Sequence, residues 1–242
     1  MTEQFRNYMD AGCLELSLVL SDAQKEQFYR YYELLTEWNR VMNLTAIKGL
    51  PDVVEKHFLD SLLLVRVFPN IKTYSYSCMD VGTGAGFPGI PLKIAFPQLK
   101  ITLLDSLKKR VGFLNEVIKE LELSEIHALH GRAEDFGKNL SYREQFDLCV
   151  SRAVANLSTL SEYCLPFVKT GGYFFPYKSE NIKDEVEQAE RAVIKLGGKI
   201  LSTDLCTLPG TNVERSFISI QKMWITPKKF PRKAGIPGKE PL

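Results

Sequence analysis

The chain has 242 residues, of which 45% are apolar and 25% charged, with a formal net charge of +2. This is the ordinary composition of a globular protein that can bury one substantial core, or one core with a small accessory subdomain. Five cysteines lie far apart without a C-x-x-C pair and there are only three histidines, which argues against a disulfide framework or a metal site and fits a reducing cytoplasm.

In chain order, Met1 to Asp10 mixes Glu3, Arg6 and Asp10 with polar residues and has no apolar signal core. The richest apolar stretch, Phe58 to Phe68, is broken by Asp60 and Arg66. Neither secretion nor membrane spanning is therefore expected; a cytoplasmic monomer is.

Two helical segments are predicted to come first. Phe28, Tyr31, Leu35 and Trp38 recur at three- and four-residue spacing, giving an apolar face to a helix that starts after Ser21, whose hydroxyl suits a cap. A second amphipathic stretch, Val53 to Val67, carries His57, Asp60 and Ser61 on one face. These three could form an internal network that fixes the N-terminal helices against the sheet, or present a polar group to RNA. A linker, Asn70 to Ser77, follows.

The run from Cys78 to Pro91 then reads as a buried strand ending in a glycine turn that opens a helix. Repeated glycines let the chain turn sharply and let a ligand touch the backbone, and Pro88 or Pro91 suits a first helical turn. About twenty-five residues on, a second apolar strand ends at Asp105, an acid placed to accept hydrogen bonds from ribose hydroxyls. Gly84, Gly86 and Gly89 can be read as the G-x-G-x-x-G of a dinucleotide site. The strand ends near Val81, however, so the turn begins at Gly82 and Phe87 stands where that fingerprint needs its third glycine. Asp80-Val81-Gly82-x-Gly84-x-Gly86 followed by Leu104-Asp105 looks instead like the S-adenosylmethionine corner of a class I methyltransferase.

Beyond the corner the pattern alternates as in a doubly wound sheet. Strands are predicted at Cys78 to Val81, Ile101 to Asp105, Glu125 to Leu129, Phe146 to Val150, Gly172 to Lys178, Ile200 to Thr207 and Ser216 to Trp224. Helices are predicted at Leu107 to Leu121, Asn156 to Val168 and Glu180 to Leu196. The last two strands flank the turn cluster Pro209-Gly210-Thr211-Asn212 and should pair antiparallel. The expected fold class is thus α/β and Rossmann-like, a mostly parallel sheet with a C-terminal antiparallel hairpin and N-terminal helices. The expected division is a helical extension packed on the core at 1–70, a methyltransferase domain at 71–225 and a basic tail at 226–242.

From Lys222 onward there are six lysines or arginines against the single acid Glu240. With Pro227, Pro231, Pro237, Gly235 and Gly238 this predicts an extended, irregular segment and an electrostatic footprint for a polyanion. Lys228, Lys229, Arg232 and Lys233 are its candidate RNA contacts. Lys109 and Arg110, with Lys108, begin a helix just past Asp105 and could add a phosphate-binding rim.

Six motifs in register carry a family resemblance: Asn43-Leu44-Thr45-Ala46-Ile47, His57-Phe58-Leu59-Asp60-Ser61, the corner from Asp80 to Leu92, Leu104-Asp105-Ser106 with Lys109-Arg110, Gly131-Arg132-Ala133-Glu134, and Ser151-Arg152-Ala153. From about Trp38 to the C-terminus the chain resembles the ribosomal RNA small-subunit methyltransferase G family, also called glucose-inhibited division protein B. The resemblance implies transfer of methyl from S-adenosylmethionine to N7 of guanine 527, in the decoding-region loop of 16S ribosomal RNA, with the small ribosomal subunit as partner. It also implies that Gly82 and Phe87 line the cofactor, with Ala133 and Glu134 at its adenine end and Arg152 at the sheet edge. Gly84, Asp80 and Asp105 complete the candidate cofactor set; Asp80 would be a second acid near the cofactor's cationic groups. Arg152 could pair with the cofactor carboxylate, a backbone phosphate or a guanine edge.

The residues that are missing bear on the acceptor. The stretch Ser151-Arg152-Ala153-Val154 is not the Asp/Asn-Pro-Pro-aromatic clamp of exocyclic-amine methylation. Cys149 and Cys164 read as core residues, not as the nucleophile that pyrimidine carbon-5 methylation needs. Guanine N7 has a free lone pair and no proton to lose, so its methylation needs positioning but no general base. A methyltransferase for another RNA or a small molecule, a nicotinamide-dependent oxidoreductase and a noncatalytic RNA-binding module remain open at this level.

Overall fold

The computed structural model describes residues 1–152, 155–179 and 182–242. Ala153 and Val154, and the predicted helix start at Glu180, lie outside the described residues. Seven strands form one sheet: β1 (Ser77–Val81), β2 (Lys100–Asp105), β3 (Ile126–His130), β4 (Phe146–Arg152), β5 (Val168–Ser179), β6 (Gly198–Thr207) and β7 (Glu214–Lys222). Their order is β3-β2-β1-β4-β5-β7-β6. The first five are mutually parallel, whereas β7 runs antiparallel to both β5 and β6. All seven predicted strands are present, and the terminal hairpin pairs as its turn cluster required. Strand order reverses between β1 and β4, where crossovers leave a crevice at the carboxyl ends of the strands.

The helix Asp22–Met42 starts where Ser21 predicted. The Ser21 side chain accepts from the Gln24 amide, and Gln24 Oε1 accepts in return from the Ser21 amide, at 3.2 and 2.9 Å. Gln24 Nε2 also donates to Ile94 O at 2.7 Å. One cap thus orients the helix against the end of Gly89–Ala95, the helix that follows the glycine turn. Phe28, Tyr31 and Leu35 are buried on its inner face, and Trp38 packs on Phe113 with ring centroids 5.6 Å apart.

Three helical expectations are corrected. A further helix, Glu3–Glu15, precedes these, capped by Thr2 and burying Phe5, Met9, Gly12 and Cys13. Its polar outer residues masked that stripe in the sequence. Gly12 is needed for the approach, because a Cβ there would lie 2.1 Å from Leu59 Cδ1. The stretch from Val53 to Val67 is not one amphipathic helix. It runs as α-helix at Leu50–Val53, a π-helical turn at Val54–Leu59, and α-helix again at Asp60–Leu62 and Leu64–Val67. Residues 57–65 are buried continuously, as expected of a rod enclosed on all sides. The predicted helix from Asn156 to Val168 ends at Cys164, with a tight turn at Leu165–Phe167, since Pro166 cannot continue an α-helix.

The tail is folded rather than extended. Phe230 is buried, and Arg143 donates to the carbonyls of Thr226 and Phe230 at 2.6 and 2.9 Å. Lys222, fully buried, donates to Leu165 O, Val168 O and Thr226 Oγ1 and pairs with Glu144 at 3.1 Å. Arg232 forks onto Glu162, whose side chain is fully buried. Among the described residues, no helix is long and apolar enough to cross a membrane.

Removing one member of such a pair strands the other as a buried charge. Arg232→Ala should therefore lower unfolding free energy by about 3 kcal/mol. Urea denaturation checks this; an unchanged midpoint would show that the tail is held by other contacts.

Candidate active site

The glycine turn is braced from beneath. Asp80, at the end of β1 and fully buried, accepts through Oδ2 from Thr83 Oγ1 at 2.7 Å and from the Gly89 amide at 2.8 Å. Gly89 allows this approach, because a Cβ there would sit 2.4 Å from Leu103 Cδ2 and 2.8 Å from Asp80 Oδ2. Asp80 Oδ1 has no partner among the described residues. Burial pushes the acid up to about 7 against the lowering effect of its Thr83 and Gly89 donors. Asp80 thus holds the turn and stands outside the walls of the crevice above it.

Gly82 and Gly84 sit on top of the turn in the left-handed region, at φ 70° and 63°, where a side chain would be strained. The Gly82 amide donates to Leu104 O at 2.8 Å. The Gly84 amide donates to Asp105 Oδ2 at 2.9 Å, and Asp105 Oδ1 takes the Leu107 amide at 2.9 Å. Arg110 stands 3.5 Å from the same carboxylate, while Lys109 is exposed. On one side of Gly82 lies a cavity of about 150 Å³ lined by Leu104, Ser106, Gly131, Ala133, Glu134 and Tyr163. Glu134 is buried and its Oε1 accepts from the Gly235 amide at 2.8 Å. The tail therefore reaches the edge of this cavity.

On the other side of Gly82 lies a cavity of about 430 Å³. Its floor is the turn from Gly82 to Ala85, with Phe87; the carboxyl ends of β4 and β5 and the N-terminal segments supply the rest. Phe87 is stacked on two sides. The His57 ring lies parallel to it at 4.3 Å and 8°, and Tyr31 packs at 5.4 Å and 29°, while the Tyr31 hydroxyl donates to Ala85 O. The Arg152 guanidinium carbon lies 5.0 Å from the Phe87 ring centre, a cation–π contact.

Arg152 binds three groups of the π-helical segment and its end. It donates to Asp60 Oδ2 at 2.6 Å, to Lys56 O at 3.3 Å and to His57 Nδ1 at 3.0 Å. The second Asp60 oxygen takes Arg215 Nε at 2.7 Å. Burial, with Arg152 beside it, pushes His57 down to about 3, so the imidazole is neutral at physiological pH. Ser61 turns away and donates to His57 O. Lys178, also on the wall, is neutralised by Glu185 at 2.6 Å.

The expected cofactor residues Gly82, Gly84, Phe87, Ala133, Glu134 and Arg152 thus gather around one crevice, with Asp105 beneath its turn. The basic residues do not form one patch: Lys228, Lys229 and Lys233 are exposed, whereas Arg232 is committed to Glu162. Lys56, Tyr177 and Arg215 were not singled out from sequence, and Tyr31 only as part of an apolar helix face. Arg215 lies 155 residues from Asp60, and no local pattern joins them. Cys149 and Cys164 are fully buried core residues, as expected. Among the described residues, no cluster of three or more His, Cys, Asp or Glu is placed to hold a metal ion.

A glycine turn and an acid at the carboxyl edge of a 3-2-1-4-5-7-6 sheet define a class I S-adenosylmethionine-dependent methyltransferase. Solved structures agree on the fold: the S-adenosylmethionine complex of TYW2 from M. jannaschii superposes with a TM-score of 0.52 at 14% identity, over 68% of this chain and 77% of that one. TrmN from Thermus thermophilus gives 0.52 at 15% identity, over 76% and 53%. Residues 24–216 match the family model described as rRNA small subunit methyltransferase G. The protein of that name from Lachnoclostridium phytofermentans is 54% identical over 231 residues, covering 96% of this chain and 95% of the relative. That from Brevibacillus brevis is 48% identical over 240 residues, covering 99% and 98%. The chain belongs to the ribosomal RNA small-subunit methyltransferase G family.

The buried Asp80 gives a pH signature. Its folded value is raised from 3.8 to about 7, so between those values the folded protein keeps a proton that the unfolded chain has released. The associated stability is fully present below pH 3.8 and is lost as pH rises through 7. Asp80→Asn should therefore flatten the decline of unfolding free energy between about pH 4 and 8; slopes parallel to the wild type would contradict the assignment.

Proposed function

We propose that the protein transfers methyl from S-adenosylmethionine to N7 of guanine 527 of 16S ribosomal RNA, acting as a cytoplasmic monomer on the small ribosomal subunit. The observation that carries the reading is the pair of cavities meeting at Gly82, one against Ala133 and Glu134 and the other under Phe87, His57 and Arg152. The residues fit the cofactor: side-chain-free backbone at Gly82 and Gly84 and a small wall at Ala133 for a flat base, while Asp105, buried with its oxygens on the Gly84 and Leu107 amides, holds the turn. The adenosine end would lie in the smaller cavity and the methionine end would cross Gly82 into the larger one.

S-adenosylmethionine, when bound, supplies a sulfonium methyl. The N7 lone pair forms the new N–C bond as the C–S bond breaks, the electron pair leaves with sulfur, and no proton has to move. The site accords with this. His57 is neutral and its Nδ1 is occupied by Arg152, so it is not free to serve as a base. Arg152 is held by Asp60, which leaves it a wall of the pocket and not a donor on N7, where it would block the reacting lone pair.

Lys109, Lys228, Lys229 and Lys233, exposed beside or beyond the crevice, would meet phosphates. Arg110, half-buried against Asp105, belongs to the cofactor edge in this reading. Replacing Lys228, Lys229 and Lys233 together with Ala should weaken RNA binding and reduce the slope of log affinity against log salt by about 2 to 3. An unchanged slope in the folded variant would return the tail to a packing role.

The direct test is transfer of tritiated methyl to small subunits that lack the modification, with mapping of the labelled nucleotide. The reading predicts label on N7 of that one guanine and none with Gly82→Asp, which should abolish cofactor binding. Label elsewhere, or unchanged cofactor affinity in Gly82→Asp, would contradict it.

A further inference from the structure

The loop that follows helix Asp22–Met42 is fastened with unusual care. Asn39 brackets Thr45, donating through Nδ2 to Thr45 O and accepting from its amide, both at 2.9 Å. This fixes the Thr45 side chain over the larger cavity, whose wall it forms with Leu44 and Ile47. The Thr45 hydroxyl oxygen accepts from the Ile47 amide at 3.1 Å and lies 2.8 Å from His57 Nε2.

The proton inventory of this group is determined by its neighbours. A guanidinium can only donate, so His57 Nδ1, 3.0 Å from Arg152, is the acceptor and carries no hydrogen. A neutral imidazole then has its single hydrogen on Nε2, which donates to Thr45. Two donors fill both lone pairs of the Thr45 oxygen. Its own hydrogen has no acceptor among the described residues, and Thr45 faces the cavity. The chain Asp60, Arg152, His57, Thr45 therefore ends in a hydrogen-bond donor of fixed polarity that points into the acceptor side of the site.

We propose that the Thr45 hydroxyl donates to O6 of the target guanine and is a specificity-determining residue that selects guanine over adenine. This rests on the proposed function. Guanine and adenine both offer N7 to a methyl donor; they differ at position 6, where guanine carries an acceptor and adenine an amine. A donor that cannot reverse its sense accepts the first and opposes the second, because donor facing donor leaves both unpaired in a desolvated pocket. O6 recognition also leaves the N7 lone pair clear. Thr45 belongs to the N-terminal extension and not to the sheet edge that carries the cofactor turn, which puts it on the acceptor wall.

The test uses small subunits reconstituted with 16S RNA carrying guanine, inosine or 2,6-diaminopurine at the target position. Inosine keeps O6, whereas diaminopurine replaces it with an amine. The wild type should methylate guanine and inosine subunits within a few-fold of each other and diaminopurine at least about tenfold more slowly. Thr45→Val should lower kcat/KM on guanine subunits by about tenfold and shrink the guanine-to-diaminopurine ratio, with S-adenosylmethionine affinity kept within about twofold. Thr45→Ser should restore both. Equal rates on guanine and diaminopurine by the wild type would overturn the proposal without recourse to any variant. So would a Thr45→Val variant that loses cofactor affinity with its base preference intact, which would assign the hydroxyl to the methionine carboxylate. Failure of the wild type to label guanine N7 at all would instead refute the proposed function.

Discussion

Asp60 is the joint on which the site depends. Its buried carboxylate receives Arg152 from the end of β4 on one oxygen and Arg215 from β7 on the other. It sits itself on the helical rod that the N-terminal extension lays across the sheet edge. Three parts of the chain that share no local sequence relation are thereby fixed to one another at the crevice. A carboxylate with a single partner here would leave one half-buried guanidinium without its counter-charge. The π-helical turn just before Asp60 belongs to the same arrangement: by widening the rod it lets the Lys56 carbonyl, His57 and Asp60 all meet one guanidinium.

From that joint the polarity of the pocket follows. Arg152, held by Asp60, lies near the Phe87 ring and determines the tautomer of His57; His57 in turn stacks flat on Phe87 and orients Thr45. Tyr31 also stacks on Phe87 and bonds the glycine turn at Ala85. The N-terminal helical segments therefore line the same cavity as the glycine turn. In the proposed reading, the sheet edge supplies the cofactor's backbone surface, and the extension supplies the wall that faces the acceptor. The tail closes the other end, with Gly235 on Glu134 and Arg232 on Glu162.

Most of the fold was legible in the sequence because its signals are local. The Asp80 to Gly86 corner, Asp105 at the next strand end and the Pro-Gly-Thr-Asn turn between the last strands each occupy a few consecutive residues whose conformation they dictate. The Ser21 cap was legible for the same reason. What escaped was long-range or context-dependent. The Arg215 to Asp60 bond joins residues far apart in the chain, and the tail's basic, proline-rich composition concealed that Phe230 and Arg232 are anchored in the core. His57 was read as part of an internal network or as a polar group facing RNA; it is in the network, which also lines the larger cavity. The π-turn depends on tertiary enclosure, which periodicity does not record.

The central claim, that Asp60 organises the acceptor side of the site without serving the cofactor side, is tested most directly by Asp60→Asn. The variant keeps the shape and removes the charge that holds the two arginines. Cofactor affinity by calorimetry and single-turnover methyl transfer to unmodified small subunits would be measured on the same folded preparation. The account predicts S-adenosylmethionine affinity within a few-fold of wild type and methyl transfer reduced by at least about tenfold. Transfer at the wild-type rate, or a loss confined to cofactor binding, would contradict it.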